Sequence, residues 1–227
     1  MNLSERLLHI ANMIPESNCI ADIGTDHGYI PIYCIRNNIC KRAIACDIKE
    51  GPIKVANKNI KSYGLNTKIE TRVGPGLKPL KEGEVDTVII AGMGGNLIVD
   101  IINDSIDLAQ QINNMVLQPM QHPEVLRKYL VCNGFKIVDE DIVEDSKKFY
   151  HIMRAHIGES DKYEKEVYYY TGMKLLEKRH PVLKNYVEFK ISQIENIIYN
   201  SNKGETSERH NYLIKLRDEF KDVIRCL

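Results

Sequence analysis

The chain has 227 residues, and its 31 Lys and Arg are matched by 31 Asp and Glu, so the formal net charge is zero. With 43% hydrophobic and 27% charged residues it is neither a disordered chain, a collagen nor a membrane protein, and its length suits one α/β domain plus a small appendage. Zero net charge speaks against a nucleic-acid partner, since such partners ordinarily meet a basic protein.

No apolar run approaches the roughly 18 residues that a membrane-spanning helix needs. The opening Met1-Asn2-Leu3-Ser4-Glu5-Arg6 is not followed by the apolar run and cleavage site of a secretory signal, so a cytoplasmic location is expected. The cysteines (Cys19, Cys34, Cys40, Cys46, Cys132 and Cys226) form no C-x-x-C pair and are read as reduced thiols, with no metal site.

In chain order, Leu3, Leu7, Ile10, Ala11 and Ile14 have helical spacing over residues 3–14, with Ser4 as a cap. Residues 19–24 read as a buried strand ending at glycine, and 29–38 as a helix. A strand over 43–47, a helix over 52–63 and a strand over 68–73 follow. Residues 85–91 form the most apolar strand, 95–109 a helix, 115–118 a strand and 123–133 another helix. Residues 135–138 and 150–153 read as an antiparallel pair. Strands alternating with helices predict an α/β fold, a mostly parallel sheet covered on both faces, with ligands beyond the carboxyl ends of the strands.

Beyond residue 160 strand signals stop. Tyr163, Val167, Tyr170, Met173 and Leu176 recur at helical spacing, as do Leu183, Val187, Ile191, Ile194 and Ile198 after Pro181. A polar turn is predicted at 200–204, a cap at Thr206 or Ser207, and a last amphipathic helix through Tyr212, Leu216, Phe220 and Val223. This predicts a coiled-coil-like antiparallel helical hairpin over 159–227, beside a first domain over 1–158. The hairpin either caps the first domain, makes a dimer or grips a substrate. The sequence does not fix the oligomeric state and favours a monomer.

The chemistry gathers at the strand ends. Asp22-Ile23-Gly24-Thr25-Asp26-His27-Gly28 follows the first strand; Gly24 lets the backbone approach a ligand, and Asp22 is suited to an ammonium. A dinucleotide turn keeps glycine where this chain has Asp26, because bare amides cradle a pyrophosphate. A carboxylate there repels phosphate and suits a cationic ligand such as S-adenosylmethionine, which carries a sulfonium and an ammonium and no phosphate. Asp47, ending the second strand, is placed to accept both ribose hydroxyls of an adenosine cofactor. Gly74-Pro75-Gly76-Leu77 and Ala91-Gly92-Met93-Gly94-Gly95 end the third and fourth strands, the first beside an adenine ring, the second a bare floor with Met93 as an apolar contact. After the fifth strand, Gln118 offers an amide to a base edge. Taken singly, each of these is also readable as a plain tight turn or a helix cap; their order along the chain is what makes them specific.

These blocks, with Gly51-Pro52, Arg72 and Leu117-Gln118-Pro119, resemble the bacterial tRNA (adenine(22)-N(1))-methyltransferases, the TrmK family, over nearly the whole chain. Two departures are Pro75, where members often carry Asp or Asn, and Gly28 in place of a frequent Ala. The resemblance implies a Rossmann-like class I fold and methyl transfer from S-adenosylmethionine to N1 of an adenine in tRNA. It implies cofactor contacts from Asp22, Gly24, His27, Asp47, Gly74, Gly76, Gly92 and Met93. Asp26 is the candidate to offset charge on the methylated ring, or else only a cofactor ligand; His27 and Tyr29 are candidates to orient the base, and Tyr150 a second aromatic platform.

Charge is unevenly spread. Residues 41–81 hold ten Lys and Arg against three Asp and Glu, whereas 82–145 hold three against twelve. A neutral protein can thereby present a phosphate-facing surface, or merely solvated helix faces. Residues 160–227 hold 13 basic and 11 acidic residues, too even to make the hairpin an RNA clamp by charge. The rival expectations are a methyltransferase for a small molecule, a protein or another RNA, and a non-catalytic RNA-binding module.

Overall fold

The computed structural model describes residues 3–200 and 208–227. Two units are distinguished, Met1–Asp161 and Lys162–Leu227.

In the first unit, helix α1 (Glu5–Met13) is capped by the Ser4 hydroxyl, which accepts the Leu7 amide at 3.4 Å, and it buries Ile10, Ala11 and Met13. Strands β1 (Ser17–Ile23), β2 (Cys40–Asp47) and β3 (Ile69–Val73) are linked by helices α2 (Tyr29–Arg36) and α3 (Glu50–Ser62). Then come β4 (Thr87–Gly94), helices α4 (Gly95–Asn103) and α5 (Ile106–Ala109), β5 (Asn114–Gln121), α6 (Pro123–Cys132), β6 (Phe135–Asp145) and β7 (Lys148–Ile157). The sheet order is β3-β2-β1-β4-β5-β7-β6. The first five strands are parallel, and β7 pairs antiparallel with both β5 and β6. β1 is flanked by β2 and β4, so the chain reverses its winding there and the carboxyl ends open a crevice.

The core residues Ile20, Ile89, Val116 and Ile152 come from neighbouring strands and are all inaccessible to solvent. Their β-branched side chains fit a sheet that helices cover on both faces.

Three segments depart from the expected elements. The helix expected over 95–109 is two helices, broken at Asp104-Ser105, where Ser105 leaves the helical conformation (φ −140°, ψ 42°). The antiparallel pair is much longer than expected. Its turn, Ser146-Lys147, has both residues at positive φ (52° and 62°), the geometry of a tight two-residue hairpin without its usual Asn or Gly. The acidic run Asp139–Asp145 disguises β6, yet charge suits the edge strand that it forms. Finally, the helical stretch near 163–176 is α7 (Val167–Thr171) and α8 (Met173–Glu177), separated by Gly172 at φ 82°.

The buried Arg127 of α6 donates to Glu140 Oε1 of β6 at 2.6 Å and lies 2.9 Å from His151 Nδ1 of β7. A buried ion pair of this kind ties the helix to the hairpin, and breaking it by removing one partner typically costs about 3–5 kcal/mol. Cys19, Cys34, Cys40 and Cys46 are buried and Cys132 and Cys226 exposed, all as free thiols. Burial pushes the Cys40 and Cys46 thiols up to about 12 and so quenches their reactivity.

In the second unit, α9 (Leu183–Asn200) packs along α10 (Glu208–Cys226), as the predicted hairpin requires. Ile194 of α9 and Leu216, Phe220 and Val223 of α10 are buried, and Lys221 pairs with Glu195 at 2.8 Å. Most of the expected turn, and the caps at Thr206 or Ser207, lie outside the described residues. No helix among the described residues is long and apolar enough to cross a membrane.

Candidate active site

Two cavities lie at the carboxyl ends of the central strands, and Gly24 lines both. The loop that separates them is shaped by its sequence. Gly24 (φ 73°) turns the chain away from β1, and a side chain there would strike the Met93 methyl. The Thr25 amide donates to Cys46 O at 2.8 Å, tying the loop to β2, and Gly28 (φ 70°) opens α2. It lies against Ala56 of α3, whose methyl would stand 3.4 Å from a Cβ at this position.

The first cavity, of about 280 Å³, is bounded by Gly24, Asp47, Gly76, Leu77, Met93 and Leu97, with Gly74 and Pro75 beside them. Its walls are mainly apolar, and Asp47 is the carboxylate at the β2 end. Asp47 Oδ1 accepts the Lys49 amide at 2.7 Å, and its carbonyl accepts the Gly74 amide at 3.0 Å, which fixes the β3 loop beside it. Gly76 (φ 53°) lies against Ile101 of α4. Ile48 and Leu97 line the same space and are 64% and 50% exposed.

The second cavity, of about 190 Å³, is lined by Arg6, Leu7, Asp22, Asp26, Tyr29, Ile30 and Gly92 among others. Asp22 is buried, and its Oδ2 accepts the Thr25 hydroxyl at 2.6 Å. Burial raises its pKa to about 6; the Thr25 hydrogen bond opposes this, and the carboxylates of Asp26 and Asp47 add to it. A cation delivered into the cavity would hold Asp22 ionised.

Asp26 stands at the rim, its side chain 86% exposed, with Oδ1 3.1 Å from His27 Nε2. The His27 ring stacks on Tyr29, with centroids 5.2 Å apart and planes 16° from parallel. His27 itself lines neither cavity; it braces Asp26 and Tyr29 from the side, and its carbonyl accepts the Asn59 side-chain Nδ2 at 2.9 Å. Asp26 and Tyr29 line the second cavity.

Gln118 does not face a ligand. It is fully buried, and its Oε1 accepts Arg6 Nη1 at 2.6 Å and the Gly92 amide at 3.1 Å. Its Nε2 donates to Pro119 O at 2.9 Å, so this amide braces the β4 and β5 ends instead of reading a base. Tyr150 lines neither cavity and lies beneath the Arg6 guanidinium, 5.8 Å away.

Arg6 is the charged lining residue of the second cavity that sequence reasoning missed. The signal was a cation on the apolar stripe of α1, three residues after Leu3 and four before Ile10. Among the described residues, no group of three or more His, Cys, Asp or Glu is arranged to hold a metal ion.

Residues 3–153 match the family model described as "Methyltransferase domain". The tRNA (adenine(22)-N(1))-methyltransferase of Bacillus subtilis (strain 168) is 38% identical over 161 residues, covering 71% of this chain and 68% of that protein. The crystal structure of the B. subtilis m1A22 tRNA methyltransferase TrmK superimposes with a TM-score of 0.87 at 31% identity, over 98% of this chain and 99% of that one. M. capricolum TrmK, in complex with S-adenosyl-homocysteine, gives 0.86 at 29% identity over 99% and 98%. With this sheet order, these strand-end loops and these relatives, the chain belongs to the TrmK family of tRNA (adenine(22)-N(1))-methyltransferases.

Proposed function

We propose that this protein transfers the methyl group of S-adenosylmethionine to N1 of adenine 22 in tRNA. One observation carries the cofactor assignment: two cavities meet at Gly24, one apolar with Asp47 at its edge, the other holding the buried Asp22; the nucleotide follows from the relatives. An adenosine fits the first and a charged amino-acid tail the second, so the residues present suit the cofactor. Asp47 takes the ribose hydroxyls, and Gly74, Gly76 and Met93 enclose the base. Asp22 receives the ammonium, and Gly24 and Gly92 give backbone room between them. When bound, the cofactor supplies a methyl group activated by a positive sulfur.

Adenine N1 carries an in-plane lone pair, so the protein needs no general base. Its work is alignment and exclusion of water. Tyr29 offers a platform for a base that has left its stack, and His27 holds that ring and Asp26 in place. Asp26 offsets the positive charge that develops on the methylated ring. Domain roles follow, with catalysis in residues 1–158 and help in holding tRNA from residues 159–227.

The exposed cations of 41–81 provide the phosphate contacts. Lys58 and Lys61 lie exposed on α3, which packs beside Gly28 in the Asp26 loop, while Lys54 of the same helix pairs with Glu50 at 3.0 Å. Arg72 is excluded from this role because Glu70 and Glu84 hold it, at 2.8 and 2.5 Å. Such a protein works in the cytoplasm, where its tRNA substrate is. Incubation with labelled S-adenosylmethionine and unmodified tRNA tests the assignment: label should enter tRNA. Label entering only a protein or small molecule would overturn it.

A further inference from the structure

We propose that Asn59 of helix α3 is a positioning residue for methyl transfer: through the His27 carbonyl it holds the strained turn that presents Asp26 and Tyr29 to the target base. The proposal rests on the roles given above to Asp26 and Tyr29.

The turn between β1 and α2 has two halves. Gly24 (φ 73°) bends the first, and the Thr25 amide anchors it to Cys46 O at 2.8 Å. In the second half His27 (φ 60°) and Gly28 (φ 70°) are both left-handed. Glycine adopts this conformation freely, whereas the Cβ of a histidine crowds the carbonyl that follows it. A strained residue of this kind persists only where its surroundings hold it. The usual hold is missing: His27 O would accept from residue 31 in a helical start, and Pro31 has no N–H.

Helix α3 supplies the replacement. Ala56, Asn59 and Ile60 share one face at i, i+3 and i+4. A Cβ at Gly28 would stand 3.4 Å from the Ala56 methyl and 3.7 Å from Ile60 Cδ1, so this face lies against the turn. Asn59 is its polar member, and Nδ2 donates to His27 O at 2.9 Å in a partly buried setting. Asp26 and Tyr29 depend on the same residue: Asp26 Oδ1 lies 3.1 Å from His27 Nε2, and Tyr29 stacks on the His27 ring. Turning the His27 peptide therefore shifts both. Asp22 and Gly24 precede the Thr25 anchor and Asp47 belongs to β2, so the cofactor residues stay in place.

The competing role is structural: Asn59 would only help to dock α3, and its loss would lower cofactor affinity and turnover together. Methyl-transfer kinetics with tRNA, beside calorimetry with S-adenosylhomocysteine, separate the two on the full chain. Asn59→Ala should lower kcat by roughly 3–10-fold, the worth of one hydrogen bond, and change S-adenosylhomocysteine affinity by less than about twofold. Asn59→Asp has the same shape without the donor and should lose at least as much. Asn59→Gln keeps the donor on a longer arm and should recover part of the rate. In an Asp26→Asn background Asn59→Ala should cost less than in the wild type, because the two act through one loop. Wild-type kcat in Asn59→Asp, a parallel loss of kcat and cofactor affinity in Asn59→Ala, or full additivity with Asp26→Asn would each overturn the proposal. An Asp26→Asn protein with undiminished kcat would instead overturn the role given to Asp26.

Discussion

Replacing Asp22 with Asn should stabilise the ligand-free fold while damaging its cofactor site. Asp22 is buried, and its pKa rises from 3.8 to about 6, chiefly because burial penalises the carboxylate. That rise of about two units, at ~1.4 kcal/mol per unit, makes the ionised side chain cost ~3 kcal/mol of folding stability at neutral pH. The folded state holds this proton more tightly than the unfolded chain. The cost is therefore absent below about pH 4, grows as pH rises, and is complete above about pH 6. Asparagine is neutral throughout, and its carbonyl oxygen can still accept the Thr25 hydroxyl. Its amide hydrogens need partners of their own, so the expected gain is ~1–3 kcal/mol at pH 8, or about 2–4 °C in melting temperature per kcal/mol. Thermal melts of both proteins at pH 8, 6 and 4.5 check this. The gap should be widest at pH 8 and about 2 kcal/mol smaller at pH 4.5. A gap that does not vary with pH, or an Asn variant less stable at pH 8, would refute the reasoning.

The other site residues give sharper functional outcomes. Asp47→Ala should weaken S-adenosylhomocysteine by about 10–100-fold through loss of charge-assisted hydrogen bonds to the ribose, read by calorimetry. Asp26→Asn should slow methyl transfer by roughly tenfold while changing cofactor affinity far less, a modest effect because the side chain is largely exposed and screened; a rate loss explained wholly by weaker cofactor binding would remove its catalytic role. Lys58→Ala with Lys61→Ala should leave cofactor affinity unchanged and reduce the salt dependence of tRNA binding by about one unit of slope per lost phosphate contact.

The parts of the fold visible in the sequence were those with local causes. The β1 turn could be read because Gly24 and Gly28 supply left-handed conformations at fixed spacing after an apolar strand. Asp47 could be read because it ends the next apolar run. The length of β6 and β7 could not, since their turn places Ser146 and Lys147 in the left-handed region without Gly or Asn, and since an acidic edge strand lacks apolar alternation. Arg6 and Gln118 meet across 112 residues, and no local pattern announces such a pair. Its place at a strand end points Gln118 outward, whereas burial turns it into a brace. His27 stands in the right loop, but its positive φ (60°) carries its ring to the rim beside Tyr29. The zero net charge, which spoke against a nucleic acid, is a whole-chain sum that hides the exposed cations of 41–81.

The central claim concerns one atom of one nucleotide, so the most direct test is to locate the methyl group. Unmodified tRNA is incubated with the protein and S-adenosylmethionine, and the product is read by reverse transcription and by mass analysis of its nucleosides. N1 lies on the Watson–Crick edge, so its methylation arrests primer extension. The account predicts an arrest at adenine 22 and 1-methyladenosine in the digest, both lost when that adenine is replaced by guanine. Methyl groups at another position, or on an exocyclic nitrogen, would contradict it.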